Sequence, residues 1–264
     1  MSDRPIYLIA DLHLEAGRPA TTRLFMDFLR GPAAQARALY ILGDLFEAWI
    51  GDDDPSALSD EVAAELRALS DAGVETFFVC GNRDFLLGDD YCRRAGMQRL
   101  EEPVFLSGSS LSIALLHGDR LCTDDHDYQR FRARVRDPRW QARILSRPLW
   151  WRRILARAAR SISRRRNRAN RSEIMDVSPQ AVVEEFRQQQ VQRLIHGHTH
   201  RPAVHRLEID GRSVARIVLG DWHEDRASVA RLTDDKIELL ALACDGAGQI
   251  NLSLVDSLSH SVTL

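Results

Sequence analysis

Cysteine is scarce in this 264-residue chain, and none of the four, Cys80, Cys92, Cys122 and Cys244, stands in a Cys-x-x-Cys pair. That spacing argues against a zinc-thiolate site and favours buried free thiols over disulfides, since Cys80 closes an apolar run. Glycine and proline are few as well, 15 and 9, which excludes collagen-like and low-complexity chains. Long apolar runs are missing. The longest near the N-terminus, Ile6 to Ala10, falls short of the roughly 7 to 20 residues that a signal-peptide core or a membrane span needs. The chain is therefore expected in the cytoplasm, with contact to a membrane face left open. Net charge is nearly absent too, at −2, and over the whole chain this argues against a general nucleic-acid binder, because phosphate contacts need Lys and Arg in local excess.

What is present is unevenly divided. Between Arg130 and Arg171 sixteen arginines stand against one acid, Asp137, so this stretch carries +15 and the remainder −17. One segment faces an anionic partner and the rest does not. Short apolar runs, each ending abruptly in polar residues, punctuate the chain: Ile6 to Ala10 before Asp11, Ala38 to Leu42 before Gly43-Asp44, and Thr76 to Cys80 before Gly81-Asn82. Leu111 to Leu116 runs into His117-Gly118-Asp119, and Val191 to Ile195 runs into His196-Gly197-His198-Thr199-His200. Helical spacing fills several of the gaps, at Thr21 to Leu29 and at Ser59 to Ala72, where Val62, Leu66 and Leu69 share a face and Gly73 stops the helix. Alternating strands and helices predict an α/β core. Beyond Pro202 four closely spaced strands, Val204 to Ile209, Ser213 to Leu219, Ala227 to Leu232 and Lys236 to Ala243, predict an antiparallel half.

The Arg-rich stretch breaks that alternation and reads as an insertion, residues 122–176, within a core of residues 1–121 and 177–264. Trp151, Ile154, Leu155, Ala158 and Ile162 fall on one helical face, with Arg152, Arg153, Arg157, Arg160 and Arg164 around its flanks.

The chemistry lies at the strand ends. Asp11, His13, Asp44, Asn82, His117, His198 and His200 all sit just past the carboxyl end of an apolar run, the edge at which open α/β sheets bind ligands. Two carboxylates, one amide and four imidazoles form a ligand set suited to Mn, Fe or Zn rather than Ca or Mg. One reactive metal cannot use seven protein ligands; two metals about 3.5 to 4 Å apart can, with a carboxylate between them and positions left open for water and a phosphoryl oxygen.

The ordered set Asp11-Leu12-His13, Gly43-Asp44, Gly81-Asn82-Arg83-Asp84, His117-Gly118-Asp119 and Gly197-His198-Thr199-His200 resembles the five motifs of the calcineurin-like metallophosphoesterases. The resemblance spans residues 11 to 200. It implies a β-sandwich of mixed sheets flanked by helices, here with an inserted helical lid. It also implies two metals, one held by Asp11, His13, Asp44 and His200, the other by Asp44, Asn82, His117 and His198, with Asp44 as the bridge. Most members carry His after the Asn, where this chain has Arg83. Arginine, with a pKa above about 12, is no general acid at neutral pH, yet it neutralises charge on a phosphoryl group. Such a site suits a leaving group that departs unprotonated, and hence a diphosphate substrate.

Arg83, the insertion, Asp44-Leu45-Phe46-Glu47-Ala48-Trp49-Ile50-Gly51-Asp52-Asp53, Ile174-Met175-Asp176-Val177 and Leu219-Gly220-Asp221-Trp222 resemble one branch, the UDP-2,3-diacylglucosamine hydrolases of lipid A biosynthesis. So does the phrase from Leu194 to His205. This resemblance implies pyrophosphate hydrolysis by water attack at the α-phosphorus, giving UMP and 2,3-diacylglucosamine 1-phosphate (lipid X), with two Mn²⁺ as cofactor. It places substrate contacts at Asn82, Arg83, Asp125, Ser163, Asn167, Asn170 and His198, and catalytic roles at Asp44, Asn82 and Arg83. After Trp222 the branch leads one to expect a Gly-Ser pair, where this chain reads His223-Glu224-Asp225-Arg226-Ala227-Ser228. The insertion is expected to cover the cleft and, through its apolar face and arginines, to meet acyl chains and the anionic cytoplasmic face of the inner membrane. A monomer with no nucleic-acid partner is expected. Two other classes remain open: another dinuclear-metal phosphodiesterase or nuclease, disfavoured by Arg83, and a non-enzymatic membrane or nucleic-acid adaptor, disfavoured by the complete ligand set. His196, His205 and His223 are expected to be structural, Asp84 and Asp119 to hold Arg83 and a turn, and Trp49 and Trp222 to pack.

Overall fold

Strands β1 (Ile6–Ile9), β2 (Ala38–Leu42) and β3 (Glu75–Val79) lie side by side and parallel, as apolar strands joined by helical crossovers do. The computed structural model describes residues 4–107, 112–158, 176–244 and 249–259. Helices α1 (Pro19–Arg30) and α2 (Ala57–Asp71) make the crossovers. The Ser56 side chain caps α2 by accepting from the Ser59 N–H, and Gly73, at φ 89°, lets the chain leave the helix in a conformation that a side chain would strain. After α3 (Asp89–Arg94), β4 (Met97–Leu100) adds a parallel edge.

A second sheet holds β5 (Val104–Ser107), β6 (Ser112–Leu116), β7 (Arg193–His196), β8 (Ala203–Ile209) and β9 (Arg212–Val218), in the order β5-β6-β7-β9-β8. Strands β10 (Arg226–Leu232), β11 (Lys236–Cys244) and β12 (Ile250–Ser259) return to the first sheet, ordered β12-β11-β10-β1-β2-β3-β4. The closely spaced strands expected after Pro202 are therefore all present but shared between two sheets: β8 and β9 form a hairpin on one, and β10 to β12 an antiparallel run on the other.

The two-residue period of the strands decides what each sheet face touches. Ile6, Leu8, Ala38, Tyr40 and Leu42 point between the sheets, against Ile113, Leu115, Ile195, Ala215 and Ile217. Tyr7, Ile9, Leu39, Ile41 and Phe78 point the other way, against Phe25, Phe28 and Leu29 of α1 and Val62 and Leu66 of α2. On the far face of the second sheet, Ala114, Leu116, Leu194 and Val214 meet Val182 and Phe186 of α7 (Pro179–Gln189). Helix, sheet, sheet, helix is the layered β-sandwich that the motif order implies. Between β6 and α7 the chain departs through α4 (His126–Val135), α5 (Pro138–Leu145) and a further helix, α6, over residues 149–158. None of the four cysteines, all among the described residues, forms a disulfide. Among the described residues no helix is long and apolar enough to cross a membrane.

Candidate functional site

Because β1, β2 and β3 run parallel in one sheet and β6 and β7 in the other, their carboxyl ends deliver their following loops to one edge. Backbone hydrogen bonds fasten those loops together: Asp11 N–H to Gly43 O at 3.1 Å, His13 N–H to Asp44 O at 2.9 Å and Gly197 N–H to His117 O at 2.9 Å. Bonds also cross between the sheets, among them that from the His198 N–H to Asp11 Oδ2 at 2.7 Å. Asp11, His13, Asp44, His198 and His200 all have positive φ, between 49° and 70°. A left-handed backbone costs an L-residue roughly 1–2 kcal/mol, and five such residues in one cluster mark backbone strain held at a site of chemistry. Two glycines permit the close approach. A Cβ on Gly81 would lie 2.1 Å from Asp44 Oδ1, and one on Gly197 2.2 Å from Asp11 Oδ2.

All seven strand-end residues converge. Ligand atoms of Asp11, His13 and His200 lie within 4.8 Å of one another, as do those of Asp11, Asp44 and His117. Asp44 reaches both sides: Oδ2 is 3.8 Å from His13 Nε2 and Oδ1 is 3.8 Å from His117 Nε2. Asn82 Oδ1 accepts from His117 Nε2 at 2.9 Å and from His198 Nδ1 at 3.0 Å. Arg83 joins the group through its backbone N–H, which donates to Asp44 Oδ1 at 2.8 Å.

The electrostatics follow from burying carboxylates among imidazoles. Burial works to raise the Asp11 carboxyl, but His200, His117 and His13 outweigh it and hold the group well below the usual carboxylate range. Burial works to lower His117, yet Asp44, Asp119 and Asp11 push it up to about 9. His200 rises to about 10 against its own burial, beside Asp11 and Asp221. His198, buried and facing the charge on His117, is pushed down to about 4. Two imidazolium groups thus offset the buried carboxylates, and a cation entering the cluster would replace their protons. The cluster fits a cation on two further counts. Asp11 Oδ1 is buried without a hydrogen bond, and the donor set of carboxylate, imidazole and amide is that of a hard to borderline divalent metal.

Neighbouring residues orient the cluster. Asp84 accepts from the N–H groups of Gly81 at 2.7 Å and Leu45 at 2.7 Å, tying the loop after β3 to the loop after β2; burial and then Asp44 push its carboxyl up to about 6. Asp119 accepts from Tyr128 Oη at 2.9 Å and pairs with Arg132 Nε at 2.9 Å. Glu102 accepts from the His117 N–H at 2.9 Å and also pairs with Arg132. Arg136 donates to the carbonyls of Cys80 at 2.8 Å and Gly81 at 3.1 Å. Tyr128, Arg132 and Arg136 are spaced by four, so one face of α4 and its C-cap clamps the loops after β3 and β6. Sequence reasoning counted these arginines in the basic run and missed Glu102 altogether; the four-residue spacing was the available signal. Asp221 stands 3.4 Å from His200 Nδ1 and 3.2 Å from His223 Nε2. His196 is buried as a neutral group, pushed down to about 3 by burial and Arg216. Trp222 packs edge-on against Phe25 and Phe28.

Asp125 caps α4 by accepting from the Tyr128 N–H at 3.0 Å. Ser163, Asn167 and Asn170 lie outside the described residues. The sequence put Arg152 among the flanking arginines of α6 that meet an anionic surface, and the structure corrects this: its side chain is 3% exposed and pairs with Asp53. Arg153 pairs with Asp54 at 2.6 Å. The apolar residues of the same helix face outward, with Trp150 63%, Ile154 57% and Leu155 38% exposed.

Residues 4–202 match the family described as calcineurin-like phosphoesterase. A UDP-2,3-diacylglucosamine hydrolase of Xanthomonas oryzae pv. oryzae (strain PXO99A) is 50% identical over 238 residues, covering 88% of this chain and 96% of that protein. One from Stenotrophomonas maltophilia (strain K279a) is 52% identical over 231 residues, covering 85% of this chain and 93% of its own. Among solved structures, vacuolar protein sorting 29 of Cryptosporidium parvum shares the fold, with a TM-score of 0.50 and 15% identity over 97% of this chain and 98% of that one.

Proposed function

The chain belongs to the calcineurin-like phosphoesterases and, within them, to the UDP-2,3-diacylglucosamine hydrolases, and from that premise we propose how its own residues cleave UDP-2,3-diacylglucosamine. Water attacks the α-phosphorus, and UMP and 2,3-diacylglucosamine 1-phosphate are released. The observation that carries this reading is the convergence of seven ligand-type side chains, from both sheets, around one edge that Arg83 borders.

Two Mn²⁺ ions would be held by Asp11, His13, Asp44 and His200 on one side and by Asp44, Asn82, His117 and His198 on the other, with Asp44 between them. Such ions supply Lewis acidity toward phosphoryl oxygens and lower the pKa of water. Everything else falls to the chain. Arg83, whose Nε is buried without a partner, offers its guanidinium to the charge that builds on the phosphoryl group. No general acid is needed on the leaving side, because a sugar phosphate departs as an anion. The Asn82 amide, held by two imidazoles, is fixed in orientation before substrate arrives. Asp125, Ser163, Asn167 and Asn170 are assigned to substrate from the insertion, with residues 122–176 acting as a lid on the core of residues 1–121 and 177–264.

The test is direct. Purified protein with Mn²⁺ is expected to release UMP from UDP-2,3-diacylglucosamine while leaving bis-nitrophenyl phosphate nearly untouched, with oxygen from labelled water appearing in UMP. Label in the lipid product would overturn attack at the α-phosphorus, and rapid diester cleavage without turnover of the UDP lipid would favour a general phosphodiesterase.

A diacylated substrate resides in a bilayer, and we assign the outward apolar face of α6 to the cytoplasmic surface of the inner membrane. Trp150, Trp151, Ile154 and Leu155 present apolar area there, and the surrounding arginines favour anionic head groups, at about 1 kcal/mol each near the surface. Replacing Trp150 and Ile154 together by Ala is expected to weaken binding to anionic vesicles roughly tenfold or more, from the lost apolar burial. Unchanged co-sedimentation would remove this face from the membrane contact.

A further inference from the structure

We propose that Arg152 and Asp53 form a latch that holds α6 on the turn after β2, and so sets how tightly the lipid-bearing substrate binds, although neither residue touches the reacting phosphoryl group. The inference rests on the function proposed above.

Arg152 differs from the arginines around it in being buried, and the core supplies its partners. Nη1 donates to Ile50 O at 2.6 Å and to Asp53 Oδ1 at 2.8 Å, Nη2 pairs with Asp53 Oδ2, and Nε donates to Arg147 O at 2.9 Å within the insertion. Two parallel bonds to one carboxylate fix both the position and the plane of the guanidinium. The turn is shaped to receive it. Gly51 sits at φ 135°, and a Cβ there would lie 2.2 Å from Arg152 Nη1, so a side chain at this position would evict the arginine.

The three consecutive aspartates divide the work of that turn. Asp52 faces the core, accepting from Trp49 Nε1, the Gly88 N–H and the Tyr91 N–H, each at 2.9 Å. Asp53 and Asp54 face the insertion and take Arg152 and Arg153. The turn is thus fixed to the body of the protein on one side and presents two anions to α6 on the other. A cavity of about 290 Å³ lies alongside, lined among others by Leu14, Phe46, Trp49, Ile50 and Arg157, and bounded also by Glu47. Glu47 Oε2 is 3.1 Å from His13 Nδ1, so the space beneath α6 leads to the cluster of ligand-type side chains. A latch that fixes α6 fixes one wall of that space. When it opens, the fraction of protein with a formed wall falls and the apparent affinity falls with it.

Asp53 is the residue to change, because its side chain is 60% exposed whereas that of Arg152 is 3% exposed. Asp53→Asn is expected to raise KM for UDP-2,3-diacylglucosamine in mixed micelles roughly tenfold, with kcat changed less than about twofold, because a charge-assisted bidentate pair is lost away from the reacting atoms. KM for an analogue with acetyl groups in place of acyl chains should stay within about twofold, and amide hydrogen exchange over residues 149–158 should quicken. Arg152→Lys keeps the charge but loses the fork and should fall in the same direction, while Asp53→Glu should recover most of the affinity. The latch is overturned by wild-type KM and exchange in Asp53→Asn, or by an equal fall of kcat on both substrates. If the wild-type protein fails to turn over the UDP lipid, the proposed function fails instead, and the exchange measurement alone then decides whether the latch exists.

Discussion

Asp44→Asn is expected to lower kcat by at least about 10³-fold, on the scale of several kcal/mol for loss of metal-supplied charge stabilisation. It should also take the bound metal from the two equivalents proposed above to fewer than one, while the protein stays folded. Asparagine is the informative replacement because it keeps the shape of the side chain, keeps an oxygen to accept the Arg83 N–H, and tolerates the positive φ of 54° at this position. What it removes is the charge. That charge faces His13 from one oxygen and His117 from the other, so its loss weakens both halves of the cluster, whereas Asp11→Asn is expected to leave one metal equivalent in place. Metal analysis after dialysis separates the two variants without any activity measurement. A second readout comes from the metal-free protein. Asp44 is the foremost charge raising His117, so in Asp44→Asn the His117 imidazole should titrate lower, visible by NMR. A variant that retained two metals and more than a tenth of wild-type kcat would remove Asp44 from the bridging position.

The cluster was legible in the sequence for a physical reason. Central parallel strands are buried on both faces and write themselves as unbroken apolar runs, so the first polar residues after Ile9, Leu42, Val79, Leu116 and His196 fall at one sheet edge whatever the loops do. Edge strands have no such signature. Met97-Gln98-Arg99-Leu100 has both central side chains exposed, and β12 alternates with most of its residues exposed; neither pattern announces a strand. Charge was harder still. Arg132, Arg136 and Arg152 look alike in the basic stretch, yet the first two brace the loops after β3 and β6 and the third is buried on Asp53. Which acid an arginine meets depends on chain segments far apart, as with Arg132 and Glu102 across 30 positions. Net charge of +15 therefore overstated what the insertion has free for a membrane, because some of it neutralises the acidic body.

The sharpest test of the chemistry is Arg83→Ala, for which kcat is expected to fall about 10²- to 10³-fold, the usual cost of removing one preorganised group that meets transition-state charge. Position 83 is well suited to the experiment because its backbone, not its side chain, holds the neighbourhood together. The Arg83 N–H donates to Asp44 Oδ1 and the Arg83 carbonyl accepts from the Trp49 N–H at 3.1 Å. Truncation leaves both bonds intact, so metal content should match wild type and the loss should fall mainly on kcat. Arg83→His separates two accounts of why the chain carries arginine here. If the leaving sugar phosphate departs as an anion, an imidazole contributes no useful proton. The variant should then hydrolyse UDP-2,3-diacylglucosamine at least about tenfold more slowly than wild type, yet gain activity on diesters whose alkoxide leaving groups require protonation. That opposite movement on two substrate classes is the expected result. A drop of less than threefold in Arg83→Ala, or a parallel fall on both classes in Arg83→His, would return Arg83 to an ordinary binding contact and remove the argument from leaving-group chemistry to a diphosphate substrate.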